Sequence, residues 1–248
     1  MWMEGLAAVA IGGLLAAGAA TAARTGVARV RVACIGDSIT VGVGADEGHA
    51  YPDELARLLG PAWQVRNFGQ SGKTMMRWRS MPAETYWKTR ALAASRAFLP
   101  DAVVIMLGTN DSKPHNWRGG HNSFTADYQA MIALYAALPS HPQIFAVLPP
   151  PVLHDDFLIS GAVVAREVVP LVRGIAEATG VHLVDVYGAL GGPPEGGPLP
   201  AGAAAYFGPP DPGGVLDGVH PNNAGARRIA ETVAQALRAF TSRPNRAM

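Results

Sequence analysis

The chain has 248 residues, 49% of them apolar, which is enough for one α/β domain with a large core or two small ones and excludes a disordered polymer. Twenty basic residues against nineteen acidic ones leave a net charge of +1, which speaks against a nucleic-acid footprint or a polybasic membrane patch. The single cysteine, Cys34, rules out an internal disulfide; inside an apolar strand-like run it reads as an inert buried thiol.

In chain order, residues 1–26 come first: an apolar, Ala/Gly-rich stretch with A-x-A-like patterns near Ala20 to Ala23. It resembles a signal peptide or a weak membrane anchor, although Glu4 and the lack of Lys or Arg ahead of the apolar run fit the former poorly. The expectation is an exported or anchored protein, with a cytoplasmic one as the alternative.

Residues 27–248 then alternate between two kinds of pattern. VARVRVACIG (27–36) is β-branched and closed by Gly36, a first strand. YPDELARLLG (51–60) opens with Pro52, carries Leu55, Leu58 and Leu59 on one face and stops at Gly60, a short helix. WQVRNFG (63–69) is a second strand, and residues 83–98 are helical. DAVVIMLG (101–108) is a continuous apolar run, as expected of a strand buried on both faces. Phe124, Tyr128, Met131, Tyr135 and Leu138 recur at helical spacing. QIFAVLPPP (143–151) is a fourth strand, and 161–180 a helix with Pro170 in its first turn or at a kink. VHLVDVY (181–187) is a fifth strand. Residues 191–214 form a long Gly/Pro/Ala-rich loop before a last helix over 223–240. This alternation predicts one domain with a parallel, doubly wound sheet and helices on both sides.

Acyl transfer by a serine needs an exposed hydroxyl, a base, a group that orients the base, and donors for the oxyanion. A candidate for each lies just past a predicted strand or before the last helix. Ser38, in GDSIT (36–40), ends the first strand, although an N-cap serine would look the same. NFGQSGKT (67–74) follows the second and offers glycine N–H groups, or simply a turn. GTND (108–111) follows the third, with Asn110 an amide donor or an Asx-turn residue. DGVHP (217–221) precedes the last helix; Asp217 and His220 are three apart, so one turn joins carboxylate to imidazole, and Pro221 is expected to start the helix. Any one of these has an ordinary structural explanation. Four in this order on one sheet edge are harder to explain that way, because ligands of open α/β sheets bind there.

These four blocks resemble those of the SGNH/GDSL hydrolases, in order and spacing, over residues 30–240. The resemblance implies a three-layer, flavodoxin-like sandwich around a mainly parallel five-stranded sheet. It also implies catalysis by Ser38, Asp217 and His220, with Ser38 N–H, Gly72 N–H and the Asn110 side chain as oxyanion hole. Gly72 is preferred over Gly69 because S-G-x-T (71–74) matches the family's second block. Asp37 is read as bracing the loop, and together with Trp117 and Trp78 it makes up the candidate substrate-binding set. No cofactor or metal is expected: HExxH-like spacing and Cys/His clusters are missing from the sequence. GTNDSKPHNW (108–117) and LPPPV (148–152) are similar to bacterial carbohydrate O-acetylesterases of the sialate and xylan types. The expected partner is thus a small or carbohydrate ester, acetyl foremost. A lysophospholipase, a thioesterase, a broad short-chain carboxylesterase and an acyltransferase remain as alternatives on the same machinery.

Overall fold

The computed structural model describes residues 29–77, 84–118, 120–194, 197–208 and 217–241. The signal-like segment 1–26 and Trp78 lie outside the described residues.

β1 (Val30–Gly36) runs into a one-turn helix, α1 (Ser38–Val41). α2 (Tyr51–Leu59) has Pro52 in its first turn beside Asp53 and Glu54, where the N-terminal dipole favours negative charge, and stops at Gly60 with φ of +79°. β2 (Trp63–Gly69) follows, and then α3 (Arg90–Ala97), capped by Thr89, whose hydroxyl accepts from the Leu92 amide at 3.2 Å. That cap breaks the expected helix over 83–98; among the described residues ahead of it there is a 3₁₀ turn at Tyr86–Lys88. β3 (Ala102–Met106), the short α4 (Pro114–Trp117), α5 (His121–Ala136) and β4 (Gln143–Val147) come next.

The helix expected over 161–180 has three parts: α6 (Gly161–Val163), a π-helical segment (Val164–Val168) and α7 (Val169–Thr179). Pro170 sits in the first turn of α7, where it has no N–H to donate back to residue 166, and the wider π turn leaves room for its ring. β5 (His182–Val184) is shorter than expected, because Asp185 caps α8 (Val186–Ala189) by accepting from the Gly188 amide at 2.7 Å. The Ala-rich part of the long loop forms a 3₁₀ helix, Ala201–Tyr206. α9 (Asn223–Thr241) occupies the expected 223–240, but Pro221 does not start it. Asn222 is its cap, accepting from the Gly225 amide at 3.0 Å, and Pro221 is instead bridged to Phe207.

The sheet order is β2-β1-β3-β4-β5, every pair parallel. Side chains alternate across it: Ala33, Ile35, Val103 and Ile105 join the core under α3, α5 and α7, while Val32, Cys34, Val104 and Met106 join the core under α2 and α9. Cys34 is fully buried, and burial pushes its thiol up to about 12. Gly36 pairs with Gly69 on one side and Met106 on the other, so three strands end level. The chain reverses direction across the sheet between β1 and β3, and the crevice there is the ligand position of such folds. Among the described residues no helix is long and apolar enough to cross a membrane.

Candidate active site

Ser38 is the first residue of α1, immediately past β1. Asp37 precedes it as the cap, its carboxylate accepting from the Ile39 amide at 3.0 Å. At the other side of the crevice the segment 217–220 folds back on itself. One Asp217 oxygen accepts from the Val219 and His220 amides, both at 2.9 Å, and the other meets His220 Nδ1 at 2.7 Å. Partial burial alone would raise the Asp217 carboxyl; the two amides and the imidazole outweigh it and hold the group below its ordinary value. The charged carboxylate draws the ring proton to Nδ1, which leaves the Nε2 lone pair facing Ser38 Oγ at 2.8 Å. His220 is nearly buried, and Gly44, with φ of +91°, makes room for it: a Cβ there would stand 2.8 Å from His220 Cβ.

The loop after β2 divides its two glycines clearly. The Gly69 N–H already donates to Asn67 Oδ1 at 2.8 Å, and a Cβ on Gly69 would meet the Val41 backbone at 2.5 Å. Gly69 therefore closes β2 against α1. Gly72, with φ of +75° and open space where a Cβ would be, lines the cleft beside Ser38 and His220. Asn110, at the start of a 3₁₀ turn (Asn110–Ser112), lines it too. Among the described residues its side-chain amide makes only a long contact to Asp37 Oδ2, 3.4 Å, and Asn116 Nδ2 holds its backbone carbonyl at 3.1 Å.

Asp111 links these two loops. It is fully buried, and its two oxygens accept from the Met75 and Met76 amides, 2.8 Å each. Burial pushes its carboxyl up to about 7, against the pull of those two amides. Burial likewise raises Asp37 to about 6, against the Ile39 amide and the nearby His220.

The cleft has a volume of about 260 Å³. Ser38, Gly72, Asn110 and His220 share it with an apolar wall of Val43, Phe157, Ile159 and Val219, and with Lys113. The Phe157 ring lies 5.4 Å from the His220 ring. Phe157 and Leu158 are both exposed and both left-handed, φ +52° and +63°, a conformation that bulky residues adopt only at a cost.

The structure thus brings Ser38, Gly72, Asn110, Asp217 and His220 together. It does not bring two of the candidate substrate-binding residues to the cleft. Asp37 is 1% exposed and points into the α1 turn, as a bracing residue would. Trp117 is core: α4 turns it toward α5 and the π segment, where Nε1 donates to Glu167 at 2.7 Å and the ring packs on Phe124. Tyr86 and Trp87 are likewise occupied, with Tyr86 O–H donating to the Phe68 carbonyl and Trp87 N–H to that of Met75. Sequence reasoning missed Asp111, Lys113 and Phe157. The first two lie inside a stretch it had singled out, whereas Phe157 carries no signal beyond an apolar pair in a polar loop.

A serine hydroxyl, a neutral imidazole and a carboxylate in series, opening on a cleft with N–H donors, is the arrangement of a serine acyl hydrolase. Residues 34–228 match the model of the GDSL-like lipase/acylhydrolase family, and the chain belongs to that family. An acetylxylan esterase of Xylanibacter ruminicola is 34% identical over 228 residues, covering 84% of this chain but 43% of that protein, so the chain spans less than half of that relative's length. Among solved structures, a carbohydrate acetylesterase from Sinorhizobium meliloti superposes with a TM-score of 0.65 at 20% identity, covering 86% of this chain and all of the other. The aryl esterase of M. smegmatis gives 0.57 at 20% identity, covering 84% and 98%. These likenesses establish the shared fold.

Proposed function

We propose that this protein is a serine esterase that removes short acyl groups, acetyl foremost, from carbohydrate through an acyl-enzyme on Ser38. The observation that carries the reading is the continuous relay Asp217–His220–Ser38, with contacts of 2.7 and 2.8 Å, ending in a cleft that Gly72 and Asn110 also line.

Ser38 Oγ attacks the ester carbonyl carbon while its proton passes to His220 Nε2. The negative charge on the carbonyl oxygen is met by the Ser38 and Gly72 N–H groups and the Asn110 amide, each such donor worth about 3 kcal/mol of barrier. The bond to the alcohol oxygen breaks, and the alcohol leaves with the proton from His220. Water, deprotonated by the same imidazole, then attacks acyl-Ser38 and releases the acid.

A cleft of about 260 Å³ favours a small acyl group. The likeness to an acetylxylan esterase and to a carbohydrate acetylesterase favours acetyl and sugar. A broad short-chain carboxylesterase is the second reading, favoured by the apolar wall of Val43, Phe157, Ile159 and Val219. Initial rates on 4-nitrophenyl esters from acetyl to decanoyl, and on acetylated xylosides, separate the two. The expected result is a maximum at acetyl, turnover of the xylosides, and loss of both in Ser38→Ala. Rates that climb steadily to decanoyl, or full activity in Ser38→Ala, would overturn the proposal.

A further inference from the structure

We propose that Lys113 forms a carboxylate subsite in the cleft, so that the acetyl ester hydrolysed sits on an acidic sugar of the uronic type. The inference rests on the acetylesterase reading above. Among the described residues that line the cleft, Lys113 is the one Lys, Arg, Asp or Glu; the others are apolar, hydroxylic, glycine, amide or imidazole. It is half-buried, and its ammonium makes no ion pair with any described residue.

Some cations elsewhere in the molecule are instead held by buried carboxylates. Arg77 is paired with the buried Asp127 at 2.6 Å, and Arg57 and Arg227 share the buried Glu54 at 2.5 and 3.0 Å. The carboxylates around the site are committed: Asp111 to the Met75 and Met76 amides, Asp37 to the Ile39 amide, Asp217 to His220. A half-buried cation beside Phe157 and Ile159 is solvated less well than in open water, and its attraction for an anion is correspondingly stronger.

The base of the side chain is fixed. The Lys113 carbonyl accepts from the Asn116 and Trp117 amides, both at 2.9 Å, and Lys113 lies three residues past Asn110. Only the flexible stem is free to swing over the cleft. A carboxylate on the acyl side is incompatible with acetyl, so the anion belongs to the alcohol that leaves. Phe157 supplies an exposed aromatic face at the same cleft for the C–H surface of a sugar ring. The net charge of +1 gives no general attraction for anions, so any preference is local.

The test compares an acetylated methyl glucuronoside with its uncharged uronamide, each by kcat/KM, in wild type, Lys113→Gln and Lys113→Arg. Wild type is expected to favour the acid about tenfold, mainly through KM, with the ratio shrinking as salt is raised from 0.05 to about 1 M. In Lys113→Gln the ratio falls to near one, and Lys113→Arg restores most of it. A wild-type ratio near one, or a ratio unchanged in Lys113→Gln, overturns the subsite. If Lys113 instead served the oxyanion, both substrates would lose kcat together and the ratio would hold. Hydrolysis of 4-nitrophenyl acetate with no acid preference sinks this inference alone; no hydrolysis of any acetyl ester sinks the esterase reading and takes this inference with it.

Discussion

Asp217 is fixed by three hydrogen bonds, two from backbone amides of its own turn to one oxygen and one from the His220 ring to the other. The consequences of an amide at this position follow from donor counting. In Asp217→Asn the oxygen must stay on the Val219 and His220 amides, so the NH₂ faces Nδ1. His220 then carries its proton on Nε2 and cannot take one from Ser38. The expected loss is about 10³–10⁴-fold in kcat with little change in KM or melting temperature, measurable by steady-state kinetics and calorimetry. A loss below tenfold would remove Asp217 from the relay. At this scale, residues with backbone-defined tasks were legible in the sequence. Ser38, Gly72, Asn110 and the Asp217–His220 pair each sit at a fixed offset from a strand or helix end. The aromatics were not legible, because a Trp four residues into a turn reads the same whether α4 turns it into the core, as it does Trp117, or outward. Phe157 escaped notice for the related reason that its place over His220 depends on a left-handed loop that no local pattern announces.

The elements that carry these residues are held by two cores, and one face of α9 seals the core on the α2 side. Ile229, Val233 and Leu237 are nearly or fully buried there, at helical spacing. Leu237→Ala deletes a fully buried side chain far from the cleft and leaves a cavity, so a loss of about 2–5 kcal/mol is expected in urea unfolding, with kcat unchanged at temperatures where the protein stays folded. A loss under 1 kcal/mol would mean that α9 is not sealing that core as described. β1, β3 and β4 were legible because apolar runs buried on both faces leave few alternatives, and α9 because its apolar residues recur at helical spacing on one face. Element ends were less legible where a side chain captured a backbone amide. Asp185 ended β5 early, Thr89 broke the helix before α3, and Asn222 took the capping place expected of the neighbourhood of Pro221. Such captures depend on a single hydrogen bond, and the hydrophobic pattern does not encode them.

Over the whole molecule, carboxyls shifted in opposite directions set how stability changes along the pH axis. Asp217 and Glu54 both have lowered pKa values, in each case because hydrogen bonds and cations outweigh burial; their stabilisation is present above the ordinary carboxylate range and is lost as pH falls through the lower folded values. Asp37 and Asp111 are the reverse. Burial raises them to about 6 and about 7, so their favourable contribution is complete below the ordinary value of 3.8 and disappears as pH rises through those folded values. Stability should therefore peak in weakly acid solution. Asp111→Asn isolates one of these contributions, because the variant keeps the side-chain volume but has no proton to exchange. The variant loses one of two accepted amides at every pH. Its deficit relative to wild type should nevertheless be larger at pH 5 than at pH 8, since only wild type forfeits the Asp111 contribution as pH rises. Urea unfolding of both proteins at the two pH values reads this directly. A deficit that is equal at pH 5 and pH 8, or greater at pH 8, would mean that Asp111 is ionised across the whole range, its two amides having outweighed its burial.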